Sequence, residues 1–111
     1  MFENAKIIRA VYTGEPFART DPAYQYDTGH ALRLDGFALP DTYEAHFAHS
    51  ETGNATVLHG CFGDTFPVPD ELFITAKAIF CWICYRDDRI FRTLYKITIP
   101  VKARSPLPNN V

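Results

Sequence analysis

The chain has 111 residues, of which 47% are apolar and 22% charged. That suffices for one domain with one core and no covalent staples. The net charge is -2 and the eleven Lys and Arg are scattered, which excludes the basic face of a nucleic-acid-binding domain. No run approaches the ~18 consecutive apolar residues of a membrane span.

The N-terminal Met-Phe-Glu-Asn-Ala-Lys lacks the basic start and apolar run of a secretory leader. The cysteine count, three, is odd. Both features predict a protein made in a reducing cytosol rather than a secreted disulfide framework. Nine Phe, six Tyr and one Trp give a high aromatic share, which favours strands and interfaces.

In chain order, Lys6–Tyr12 (KIIRAVY) is β-branched and aromatic and reads as a first strand. Gly14–Pro22 has Gly, two Pro and no period, and reads as a loop. Tyr24-Gln25-Tyr26-Asp27-Thr28-Gly29 resembles a turn. His30–Asp35 alternates, with Leu32 and Leu34 on one face and Arg33 and Asp35 on the other. Thr42–His49 alternates too, with Tyr43, Ala45 and Phe47 opposed to Glu44 and His46. Ser50–Asn54 (SETGN) has hairpin-turn composition, and Ala55–Phe62 is the returning strand.

Gly63–Pro69 reads as a connection. Asp70-Glu71-Leu72 follows a Pro and begins a short helix of about one turn. Ala78–Tyr85 (AIFCWICY) is apolar on both faces. It predicts a central strand, either covered on both sides or covered on one and engaged by a partner on the other. Asp87-Asp88-Arg89 is a tight turn. Ile90–Val101 is the longest strand, with Phe91, Thr93, Tyr95, Ile97 and Ile99 on one face. The expected fold is all-β: a small antiparallel β-sandwich of about six strands, immunoglobulin-like or jelly-roll-like, with at most one short helix. Residues 1–104 form the domain, and 105–111 form a Pro/Asn-rich tail or linker.

Few residues promise chemistry. Cys81 and Cys84 have CxxC spacing but lie in a strand, where residues three apart point to opposite faces, so they read as buried packing residues. His46 and His49 diverge for the same reason. His46 and His59 can face each other across the predicted hairpin. A zinc site, or a small metal-dependent hydrolase, would need further ligands beside them. GxSxG, P-loop, GxGxxG and HExxH patterns do not occur. The expectation is therefore a non-enzymatic protein without metal or cofactor. Its candidate contact residues are the aromatic loop of Phe17, Tyr24 and Tyr26, the edge-strand residues His46 and His49, and the extended tail from Pro106, with an exposed strand edge open to a partner strand. The alternative is a carbohydrate-binding β-sandwich module of a tail or baseplate receptor-binding apparatus, using exposed aromatics with Trp82 and Tyr85 as first candidates, although Trp82, in the most apolar strand, reads as core.

Four segments, in this order, carry a resemblance: Tyr24–Leu32 (YQYDTGHAL), Leu39–Phe47 (LPDTYEAHF), Val68–Leu72 (VPDEL) and Ile97–Val101 (ITIPV). Together they resemble the N-terminal attachment domain of Firmicutes prophage virion proteins of head-fibre or tail-fibre type, over about residues 6–106. The resemblance implies a virion structural protein, made in the bacterial cytoplasm and mounted on the particle in several copies. Its implied partners are capsid or other virion proteins and further copies of itself; the charge and the lack of a long apolar run separately point away from nucleic acid and membrane. The sequence stops at Val111, where a relative's shaft would begin. Hence two alternatives stand, a stand-alone decoration or adaptor protein and a fibre base whose shaft is a separate chain.

Overall fold

The computed structural model describes residues 2–108. It is all-β: ten strands and one 3-10 turn among the described residues. A five-stranded sheet has the order β2(Phe17–Arg19), β9(Phe91–Ile99), β8(Ile79–Arg86), β5(Tyr43–Ala48), β6(Thr56–Cys61). A three-stranded sheet has the order β1(Lys6–Val11), β4(His30–Asp35), β7(Thr65–Pro67). The short β3(Ala23–Tyr24) and β10(Val101–Lys102) pair separately. The 3-10 turn spans Asp70–Phe73, with Leu72 and Phe73 buried.

Period-two patterning builds the core. Ile8, Ala10, Leu32, Leu34 and Phe66 of the smaller sheet meet Tyr43, Ala45, Phe47, Ile79, Cys81, Ile83, Ile97 and Ile99 of the larger. The Phe66 ring lies 6.0 Å from Tyr43 and 6.1 Å from Phe47, both edge-on, which ties the two sheets together.

Three expectations need correction. The sheets are mixed rather than antiparallel throughout: β1–β4, β2–β9 and β3–β10 are parallel pairs. The loop expected over Gly14–Pro22 contains β2, and the connection over Gly63–Pro69 contains β7. Both are three-residue strands ordered by distant partners, Lys96–Thr98 and Ala31–Arg33. Third, β9 does not keep one face along its length. Ile83 pairs with Tyr95 but Cys84 pairs with Thr93, so Leu94 is an extra residue on β9. Such a bulge moves all residues beyond it to the opposite face. Tyr95, Ile97 and Ile99 face inward as expected, whereas Phe91 and Thr93 lie outside.

A second irregularity lies across the hairpin. Tyr43 pairs with Cys61 and Ala45 with Leu58, so His59 and Gly60 together oppose Glu44. Gly60 has φ 68°, which a side chain would resist.

Candidate contact face

β8 is central and its two sides differ. Ile79, Cys81 and Ile83 are fully buried in the core. Register places Phe80, Trp82 and Cys84 on the outside, beside Ala48, His46 and Glu44 of β5 and Thr98, Lys96 and Thr93 of β9. No other strand layer covers this face among the described residues. Trp82 is therefore not core, as its apolar surroundings in the sequence had suggested. It is half-buried on the outer face, its ring 5.9 Å from Phe80. The Lys96 ammonium lies 4.5 Å from the Phe80 centroid and 5.8 Å from that of Trp82. Lys96 also donates to Glu51 at 3.0 Å. A long cationic side chain thus spreads over aromatic surface that lacks a second layer.

The Leu94 bulge adds Phe91 to the same face. Its ring is 46% exposed, 4.6 Å from the Arg86 guanidinium and 5.8 Å from the His46 ring. Glu44 holds this corner. Its carboxylate accepts from Arg86 Nε at 2.9 Å and from His46 Nε2 at 2.8 Å, with His59 Nδ1 3.6 Å away. The hydrogen bonds from Arg86 and then His46 outweigh desolvation and lower the Glu44 pKa to about 2. A carboxylate so held is ionised throughout the neutral range and is a poor proton donor. Its role is to fix Arg86 and His46 in place. His46 and His59 do converge, but on a carboxylate. No group of three or more His, Cys, Asp or Glu among the described residues is arranged to hold a metal.

The residues singled out from sequence are dispersed. Phe17, 61% exposed, stands beside Lys96 at the margin of the outer face. His46 belongs to that face. Neither histidine is at a sheet edge, because β5 lies between β8 and β6. His49 follows β5 and its Nδ1 donates to the Ala78 carbonyl at 3.2 Å. Phe17 is in β2, beside β9, whereas Tyr24 is in β3, beside β10, and Tyr26 is in the turn that follows, so the three do not form one aromatic loop. Tyr24, with Asp27, Arg104 and Ser105, lines a shallow hollow. Tyr26 has φ 73°, the one positive φ at a non-glycine among the described residues, and its N–H donates to the Phe73 carbonyl. Gln25 Nε2 donates to the Ile74 carbonyl at 2.7 Å. The Tyr-Gln-Tyr-Asp segment thus clasps the 3-10 turn mainly through main chain and Gln25. Pro106 is exposed in the extended tail, whose last three residues, 109–111, lie outside the described residues.

The cysteines occupy opposite faces as their spacing predicts. Cys81 is wholly enclosed, and burial drives its thiol pKa well up. Cys84 contacts the Thr93 hydroxyl at 3.9 Å.

Two concavities flank the face. A groove of about 770 Å³ runs between β1 and β2, lined by Arg9, Val11, Phe17, Arg19, Lys96 and Thr98 among others. A smaller, more apolar hollow of about 400 Å³ lies at the β6–β7 turn, against Phe2, Leu58 and Phe62.

Sequence reading missed Phe80, Trp82, Phe91 and Lys96 as one surface. The alternation of Glu44 with Ala45 was the available signal, since whatever pairs with Glu44 and His46 must also face outward. No protein-family model matches this chain, and no curated protein matches it.

Proposed function

We propose that this chain is a protein-contact module of a bacteriophage particle, a capsid decoration protein, head-fibre base or adaptor, that docks through the outer face of its five-stranded sheet. The resemblance of its four sequence segments to virion attachment domains supplies the setting. One observation supports the docking face: Phe80, Trp82 and Phe91 form a row on a central strand and its neighbour with no second strand layer over them among the described residues. Central strands of a sandwich ordinarily present polar residues to solvent. Aromatic anchors edged by Arg and Lys are the composition of protein interfaces. Repeated placement on a symmetric particle multiplies one modest contact.

The test is incorporation. Mass spectrometry of purified particles detects the wild-type chain, while the Phe91→Glu variant, changed at a half-exposed position, folds but is lost from particles. A soluble protein absent from particles, or undiminished incorporation of the variant, counts against the proposal.

The adjacent Phe80 and Trp82 rings favour a second reading, a carbohydrate-binding platform. Their planes are inclined by 53° and Lys96 lies over both, which is a poor surface for a flat sugar ring. Titration with host-wall polysaccharide discriminates. Saturable quenching of Trp82 fluorescence favours the sugar platform, and its absence leaves protein contact.

A further inference from the structure

The seam between the two sheets exposes main chain from both. β1 bonds to β4 through its even-numbered residues: Lys6 N–H donates to the Gly29 carbonyl and Tyr12 N–H to that of Asp35, each at 2.9 Å. In a parallel pair both main-chain groups of a residue point the same way. The N–H and C=O of Ile7, Arg9 and Val11 therefore point away from β4.

The same parity holds for β2. Pro16 C=O accepts from Lys96 N–H at 2.9 Å, and Thr20 N–H donates to the Thr98 carbonyl at 3.0 Å. The main-chain groups of Phe17 and Arg19 thus point away from β9. Among the described residues, β1 and β2 are both terminal strands of their sheets, are not paired with each other, and flank one groove. Two open strand edges beside one groove form a site for strand addition.

The charges along the groove select the occupant. Arg9, Arg19 and Lys96 line it, against one acid, Asp21. Arg9 is held by Asp35 and Lys96 by Glu51. Arg19 is exposed and has no carboxylate within ion-pairing distance among the described residues. Phe17 and Val11, 61% and 51% exposed, offer apolar surface between the cations.

We infer that the seam between β1 and β2 takes up an extended, acidic segment of a partner protein as an added strand, with a carboxylate of that segment on Arg19. Alternate side chains of the segment lie against Val11 and Phe17, and its main chain satisfies the free groups of β1 or β2. The inference rests on the contact-module reading only in that the occupant is protein. The Phe80–Trp82–Phe91 face adjoins the seam at Lys96, and the strand edges of Lys6–Val11 and Phe17–Arg19 are distinct from it.

The test titrates ¹⁵N-labelled full-length protein with a capped octapeptide alternating valine and glutamate, and with its valine–lysine counterpart. The glutamate peptide is expected to shift the amides of Ile7, Arg9, Val11, Phe17 and Arg19. Arg19→Glu is expected to weaken that peptide by about tenfold or more, the range of a charge-assisted hydrogen bond. Arg19→Lys is expected to retain binding within about threefold, because it keeps the charge. Equal binding of the lysine peptide, no shift at millimolar peptide, or shifts at Phe80 and Trp82 instead would overturn the inference. Shifts of the seam amides on concentrating the protein alone would also overturn it, by assigning the seam to a second copy. Failure here leaves the particle-incorporation result standing, so the two proposals fall separately.

Discussion

The His30 imidazole stacks on the Phe73 ring, centroids 4.3 Å apart and planes 25° from parallel. It is 2% exposed, and neither ring nitrogen has a hydrogen-bond partner among the described residues. The stack couples β4 to the 3-10 turn and leaves two polar atoms desolvated. Burial, followed by the charge of Lys6, lowers the His30 pKa from 6.5, while Asp27 and Asp70 oppose the shift. Below pH 6.5 the unfolded chain takes up a proton that the folded chain resists. Stability is therefore complete above that pH and falls as the pH drops through 6.5 toward the folded-state value. Urea melts are expected to hold their midpoint from pH 7.5 down to about 6.5 and to lose it from there to pH 5, and His30→Phe to flatten the loss. His30→Phe is also expected to stabilise at neutral pH by about 1 kcal/mol, because it removes unsatisfied nitrogens while keeping a ring. An unchanged slope in the variant contradicts this.

Glu44 governs a lower pH window. Its depressed pKa contributes stability that is present above 4.5 and lost as pH falls through about 2. NMR titration of the Glu44 carboxyl should give a midpoint near 2, and Arg86→Ala should move it up toward 4.5. A Glu44 midpoint indifferent to Arg86 would show that the 2.9 Å contact is not what holds the charge.

Phe47 and Phe91 belong to strands of one sheet but to opposite faces. Phe47 is fully enclosed against Phe66 and the core, so Phe47→Ala is expected to cost about 3–5 kcal/mol. Phe91→Ala is expected to cost no more than about 1 kcal/mol, since that ring is half-exposed. Denaturant melts of both variants check the bulge at Leu94. A large loss at Phe91 would place that ring in the core, as an unbulged β9 would have it.

The three thiols are all buried. A thiol-specific reagent at neutral pH is expected to leave Cys81 unmodified in the folded protein and to react with it on unfolding, because the thiolate is the nucleophile and burial suppresses it. Rapid native labelling of Cys81, or a Cys81–Cys84 disulfide, contradicts the strand geometry of β8.

The strands legible from sequence were those whose large apolar residues alternate with charged or imidazole side chains. Leu32 and Leu34 against Arg33 and Asp35, and Tyr43 and Phe47 against Glu44 and His46, name the core-facing side, although Ala31, Glu44 and Ala48 on the other side are also buried. What escaped depended on distant partners. Phe17–Arg19 is a strand because Lys96–Thr98 lies alongside, and Thr65–Pro67 because Ala31–Arg33 does. Neither segment has a period of its own, and each contains or adjoins proline. Parallel pairing escaped for the same reason, since alternation is identical in either direction. The face of Phe91 depended on one extra residue, Leu94, which composition does not reveal. Trp82 was misplaced because its neighbours Cys81 and Ile83 are core, and in a strand that puts Trp82 outside.

Cryo-electron microscopy of phage particles carrying this chain is the decisive measurement for the proposed docking face. Phe80, Trp82 and Phe91 are expected to be buried there against a second protein chain. Particles that lack the chain, or that hold it with those three rings facing solvent, would overturn the proposal.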